Sequence, residues 1–418
     1  MSHTIKASLA LLCTCLTLSG CAQSPPPTPA QSPTPTATRA PLPSPPAPRY
    51  EPEPISITVC SSGCDFVSIQ EAIDDADTSA DDVITVTDAV HTEAGIIVNK
   101  DVTVQGLGAD RTIVQAHTDL LQAPDRVFLV LEGSRAAIQG MTIRHGHPCE
   151  YPQGGGGVAN FGDLRLVKSV VRDNSANDGG GIFNQGTMTI LNCSVHANLG
   201  DREAPPGLEC GSGGGIKNGF RGTLYMENCT VQGNKALGKA GGLFVACEGT
   251  ARLINCTFSG NHADRDGGGV YVKGDAKIEH CTISENTTKQ LGGGLYVRSQ
   301  ARLANSLITG NTRGDVILGG PGDYRGKGTL DANAHNWIAD GSCESDFSGD
   351  PLLARLANNG GDTLTHALLP TSPAIDAIPA AACSLPHDQR GQSRPVQVGS
   401  GQPLCDVGAY EAKPKPGS

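Results

Sequence analysis

Residues 154–311 repeat themselves with a period near 25 residues, and this limits the fold more than any other feature. Glycine clusters recur at Gly154–Gly157, Gly179–Gly181, Gly213–Gly215, Gly241–Gly242, Gly267–Gly269 and Gly292–Gly294. One aliphatic residue follows each: Val158, Ile182, Ile216, Leu243, Val270 and Leu295. A second landmark is an Asn three residues after a β-former, at Asn174, Asn198, Asn234, Asn261, Asn286 and Asn311. The Asn-to-Asn spacings are 24, 36, 27, 25 and 25, the long one carrying an insertion around Asp201–Glu209. Short period-2 strands between Gly and Asn turns at this period predict an all-β parallel β-helix. One coil cannot bury its own apolar side, whereas coils stacked about 4.8 Å apart share a continuous core. With 54 Gly among 418 residues and only 4% aromatics, a helix bundle is excluded, and the absence of an every-third Gly excludes collagen. The net charge of −11 has the wrong sign for a nucleic-acid binder.

The same register places other residues. An Asn at one corner of each coil can bond to those above and below it. Cys193, Cys229, Cys256 and Cys281 occupy one inward position, with Ser169 and Ser306 there in the outer coils. Their Cβ vectors run parallel, which suits buried free thiols better than bridges. Among the other cysteines the pairs Cys383–Cys405, Cys60–Cys64 and Cys149–Cys210 are disulfide candidates, and Cys247 and Cys343 have no evident partner. Upstream, Ser68 to Glu71 reads as a capping box opening a short helix whose apolar face is Ile69, Ala72, Ile73 and Ala76. That helix would cap the open end of the stack. Strands are expected at 83–86, 96–98, 102–105, 113–115, 127–131 and 137–143.

The repeat resembles the right-handed parallel β-helix of the pectin-lyase superfold. It is most similar to the glycine-rich repeats of polymorphic outer-membrane proteins, and Phe258 to Asn261 matches their Phe-x-x-Asn motif literally. Asp65 to Ile73 resembles the entry of pectin methylesterases, a cap common to the superfold. From Gly349 the pattern changes. Gly349-Asp-Pro-Leu-Leu353, Asn359-Gly-Gly361, Ser372-Pro-Ala-Ile-Asp376, Asp388-Gln-Arg-Gly391 and Cys405-Asp-Val-Gly-Ala-Tyr-Glu411 resemble the choice-of-anchor-Q segment of exported bacterial β-helix proteins. Residues 349–412 are thus expected to close the β-helix of residues 55–348, with 413–418 a tail.

The N-terminus is an address. Lys6, an apolar run from Ala7 to Leu18, and Leu18-Ser19-Gly20-Cys21 resemble the bacterial lipoprotein signal. The resemblance implies cleavage after residue 20, lipidation of Cys21 and a membrane partner held through that anchor. Ala22 after the Cys implies the outer membrane or cell surface. Residues 21–54, rich in Pro, Thr, Ser and Ala, read as a disordered stalk.

Chemistry is harder to find. Arg144-His145-Gly146-His147 is the densest His/Arg group and reads as a polar corner, and Asp81-Asp82 as a solvated turn. Asn177-Asp178 and Asp264-Arg-Asp266 could offer oxygens to Ca²⁺ but lack the calcium β-roll period. No cofactor is implied, and a one-sided cysteine ladder cannot surround a metal. His366, Asp376, Asp388, Arg390 and Glu411 read as an ion-pair network in the C-terminal segment. Two outward repeat positions are ligand candidates: a basic row at Arg165, Arg252, Lys277 and Arg302, and an aromatic row at Phe183, Phe244, Tyr271 and Tyr296. The aromatics either stack on sugar rings or lie under a covering loop. The readings left open are glycan binding or adhesion at the cell envelope, a polysaccharide lyase or hydrolase, and a structural surface protein.

Overall fold

The computed structural model describes residues 55–148, 154–201, 211–318, 328–331, 335–343, 345–396 and 403–412. They form a solenoid of parallel strands. One coil runs through Thr250–Ile254, Thr257–Ser259, His262–Ala263 and Val270–Val272, and the next through Asp275–Glu279, Thr282–Ser284, Thr287–Thr288 and Leu295–Val297. Stacking gives a first sheet of 11 strands, a second of 10, a third of 9 and a short fourth of 5. Register is strict: Arg252 lies over Lys277, Phe258 over Ile283 and Tyr271 over Tyr296.

Period-2 alternation sends Leu253, Ile278, Val231, Phe258, Val270 and Val272 into a core that runs the length of the stack. The corner between first and second sheets is a single left-handed residue: Lys168, Asn192, Asn228, Asn255, His280 or Asn305. Asn tolerates that conformation best among side-chain-bearing residues, which explains its recurrence. Inside the next corner runs the expected ladder. Nδ2 of Asn174 donates to Oδ1 of Asn198, and the pattern continues through Asn234, Asn261 and Asn286 to Asn311 at 2.9–3.0 Å. It ends where Asn311 donates to Asp315 at 2.8 Å. A second, shorter ladder joins Asn160, Asn184 and Asn218 before the first sheet.

Cys193, Cys229, Cys256 and Cys281 are buried free thiols. Desolvation pushes the first three well above the ordinary thiol value, so they stay protonated and unreactive.

The helix is Ile69–Asp74, with Ile69, Ala72 and Ile73 buried, and the Ser68 hydroxyl accepts from Glu71 N at 3.1 Å. The reciprocal carboxylate is not Glu71 but Glu93, which accepts from Ser68 Oγ, Ile69 N and Gln70 N at 2.7–2.9 Å. Ala76 lies beyond the helix and is exposed. The stretch 137–143 is two strands, Arg135–Gln139 and Thr142–Arg144, separated at Gly140, whose φ of 64° makes the corner.

The C-terminal segment runs along the flank rather than across the end. Its hairpin, Leu353–Ala357 with Thr365–Leu368, and the loops that follow cover the outer surface of the second sheet. Thr230 Oγ1 donates to Leu364 O at 2.6 Å, Thr257 Oγ1 to Gln389 Oε1 at 2.6 Å, and Ala409 N donates to Thr282 Oγ1 at 3.0 Å. The segment is organised around buried ion pairs, Arg390–Asp388 at 2.6 Å and Arg394–Glu411 at 2.9 Å. Arg394 also donates to Nδ1 of His280 on the solenoid at 2.6 Å. His366 and Asp376 are not members of these pairs. His366 bonds Ser259 Oγ at 2.9 Å, and Asp376 N donates to Asp406.

Candidate functional site

The aromatic row is not an open platform. Phe244, Tyr271 and Tyr296 point outward from the third sheet but are 0–4% exposed. Their rings stack on successive coils, with centroids 5.1 and 4.9 Å apart and planes within 9°. The glycine-rich turn preceding each strand folds back over them. Gly267 (φ 74°) and Gly292 (φ 66°) sit four residues before Tyr271 and Tyr296, and a Cβ there would come within 2.8–3.0 Å of the tyrosine Cβ. Lys239 Nζ lies 3.2 Å from the Tyr271 hydroxyl and 4.9 Å from its ring centroid. Ala240 and Ile317 complete the cover. Phe183 falls outside this stack and pairs with Phe161 at 6.0 Å. Stacking and burial leave the three inner rings no face for a sugar, which corrects their candidacy as ligand contacts.

The basic row is where the sequence placed it, on the outer surface of the first sheet. Arg165, Thr189, Tyr225, Arg252, Lys277 and Arg302 stand in register on six coils. The side chains of Arg252, Lys277 and Arg302 are 46–63% exposed. They are not bare cations. Glu279, two residues beyond Lys277, engages both Arg252 (3.2 Å) and Lys277 (2.9 Å), and Asp331 lies 3.6 Å from Arg302. Tyr225 donates to Glu227 at 2.6 Å, and its phenol is pushed up to about 12 by desolvation and that carboxylate. Arg165 has no carboxylate partner among the described residues.

The remaining candidates divide. Cys60–Cys64 and Cys383–Cys405 are disulfides, with Cα separations of 5.5 and 6.0 Å. Cys21, Cys149 and Cys210 lie outside the described residues, as do residues 202–210 of the insertion. Asp82 is buried rather than solvated, accepting from Ile55 N and Ser79 N at 2.7–2.8 Å. Of the possible calcium donors, Asp178 pairs with Lys217 (2.8 Å) and Asp264 with Lys289 (2.9 Å) and His262 (3.0 Å). Among the described residues no group of three His, Cys, Asp or Glu side chains is placed to hold a metal. Arg144 is more than a corner residue. Its strand aligns it with Arg172, and Arg172 with His196. The repeat held the signal for that alignment, since all three directly follow the inward β-former of their coil.

Residues 125–262 and 225–331 match the family model described as the right handed beta helix region. The solenoid is a right-handed parallel β-helix. Similar solved structures include pectate lyase Pel9A, at 13% identity over 86% of this chain and 98% of that one, with a TM-score of 0.50. The Geobacillus virus E2 protein ORF18 aligns at 12% identity over 68% of this chain and 54% of its own, with a TM-score of 0.44. The A-module of mannuronan C-5 epimerase AlgE6 from Azotobacter vinelandii aligns at 15% identity over 67% and 86%, with a TM-score of 0.38. This chain thus spans about half the length of the viral protein. At such identities the likeness is one of fold. No curated protein shows significant sequence similarity to the chain. Within this β-helix the third sheet is covered by its own turns from Phe244 to Tyr296, and the second is partly covered by the C-terminal segment. The first sheet is the face left open along six coils.

Proposed function

We propose that the protein is a glycan-binding β-helix displayed at the bacterial cell envelope. In this reading it is anchored through lipidated Cys21, carried on the Pro-rich stalk, and binds on the outer surface of its first sheet. The observation that carries the reading is the uncovered row Arg165, Thr189, Tyr225, Arg252, Lys277 and Arg302. One side chain per coil, about 4.8 Å apart, offers repeated polar contacts to a polymer laid along the stack. Contacts that are weak singly gain from being linked on one chain. The fold likeness to a pectate lyase supports a carbohydrate polymer as ligand. Binding is favoured over cleavage because the carboxylates beside the basic row are engaged: Glu227 by Tyr225, Glu279 by Arg252 and Lys277.

A glycan array run beside a reducing-end release assay tests this directly. The expected result is binding without product, weakened about tenfold or more in an Arg252→Ala/Lys277→Ala/Arg302→Ala variant of unchanged melting temperature. Product release would replace the reading with a lyase or hydrolase. Cys21→Ala should free the protein from the membrane fraction, and unchanged fractionation would remove the anchor from the proposal.

A further inference from the structure

The second sheet is only half covered. One of its outward columns runs Gln115, Arg144, Arg172, His196, Gln232, Ser259 and Ser284 in register. The C-terminal segment reaches this column at Ser259, through His366. Upstream of that contact, Arg144, Arg172 and His196 occupy three successive coils about 4.8 Å apart. Like charges at such a separation repel by roughly 1 kcal/mol in water and several times that near a protein surface. One carboxylate serves the group: Asp173, which is paired with Arg172. Arg144 donates from Nε to Gln115 Oε1 at 2.9 Å, and its two terminal nitrogens have no acceptor among the described residues. The His196 ring has no hydrogen-bond partner there either.

Burial first, and the neighbouring charges after it, disfavour the protonated forms of the group. Arg144 is lowered by burial and then by Arg172, with Asp173 opposing. His196 is lowered by burial, with Asp173 opposing and Arg172 reinforcing. From the following coil it faces only the neutral Gln232. On the first sheet, by contrast, Glu279 pairs directly with both Arg252 and Lys277. A local positive excess on a chain of net charge −11 is a place that an anion relieves.

We propose that Arg144, Arg172 and His196 form an oxyanion site for a carboxylate, sulfate or phosphate group on a polymer lying along this flank. The free edge of the Arg144 guanidinium and the Arg172 head supply the fork that such groups accept from. The site is on a different sheet from the glycan face described above and does not rest on that reading. An anion bound beside His196 favours its charged form and raises its lowered titration point, so binding takes up a proton and tightens as pH falls toward that point.

Calorimetry at low ionic strength with inorganic sulfate, dextran sulfate and polygalacturonate, at pH 5.5 and 7.5, tests the site on the full protein. At least one probe should bind, and Arg144→Ala/Arg172→Ala should weaken it by about tenfold or more. His196→Ala should keep binding at pH 7.5 while abolishing the gain at pH 5.5. Repeated in an Arg252→Ala/Lys277→Ala background, the same loss on removing Arg144 and Arg172 should persist, which separates this site from the first-sheet face. Affinity for free sulfate assigns the group itself, and affinity for one polymer alone assigns its carrier. If the double variant fails to fold, Arg172→Gln carries the same test. Failure of all three probes to bind wild type, or undiminished binding by the arginine variants, overturns the proposal.

Discussion

Tyr271 and Tyr296 on the third sheet, and Lys277 and Arg302 on the first, belong to three successive coils. All four point outward, yet the tyrosines are 0–4% exposed and the Lys277 and Arg302 side chains 46% and 63%. The difference lies in the turns that flank them. The first sheet is bounded by tight corners that leave its surface bare. The third is preceded by a glycine-rich turn long enough to curl back across it. Outward from a strand is therefore not the same as outside the protein. The pleat sets the direction, and the neighbouring turn decides what that direction meets.

The contrast can be broken most forcefully at the tyrosines. Tyr271→Ala with Tyr296→Ala removes two stacked, buried rings and should cost about 5 kcal/mol or more in chemical denaturation. A small loss would mean that the glycine turn does not cover them in solution.

A second covered place is the second sheet beneath the C-terminal segment, where His280 meets Arg394. Burial, and then the Arg394 charge, push His280 down to about 2. The folded protein thus refuses a proton that the unfolded chain accepts below pH 6.5. This contribution to stability is complete above 6.5 and is lost as pH falls below it. Relative to His280→Gln, wild type should lose roughly 2–3 kcal/mol between pH 6.5 and 4.5. Parallel pH profiles for the two proteins would show the histidine to be solvated.

An inward position calibrates the scale. Cys256→Ala leaves a small cavity and should cost about 1–2 kcal/mol. In native wild type the four ladder thiols should resist a bulky thiol reagent and react after denaturation without reductant. The smallest effect belongs to the open face. Arg252→Ala with Lys277→Ala should shift stability by less than about 0.5 kcal/mol, since exposed ion pairs contribute little. A larger loss would show that Glu279 makes these pairs part of the fold.

The architecture was legible because it is periodic. Gly267–Gly269, Asn261 and Cys256 each recur at one phase of the coil, and a phase converts directly into a corner, a ladder or an inward position. What failed was whatever a neighbouring element decides. For Phe244 and Tyr271 the sequence left a sugar platform and a covering loop both open, and the glycine four residues before each tyrosine marks the chain reversal that decides for cover. Likewise Glu93 replaced Glu71 at the helix cap because coil stacking brings a distant carboxylate within 2.7 Å of Ile69 N. The column after the inward β-former carried an unread signal. It is Arg144, Arg172 and His196 where the second sheet is open, then Ser259 and Ser284, small enough to lie under the C-terminal segment, where it is covered.

The asparagine ladder also determines where this protein can change its length over evolutionary time. Each Asn from 198 to 286 donates to the next and accepts from the one before, so a duplicated coil would find both neighbours ready. Asp315 receives from Asn311 and has no amide to pass on, which makes it a stop. The coils holding Thr230, Thr257 and Thr282 are pinned by fixed partners in the C-terminal segment, and an extra coil among them would pull those bonds out of step. Gain or loss of whole coils is thus confined to the stretch ahead of Thr230, and relatives of different length should differ there while keeping the pinned coils in constant number.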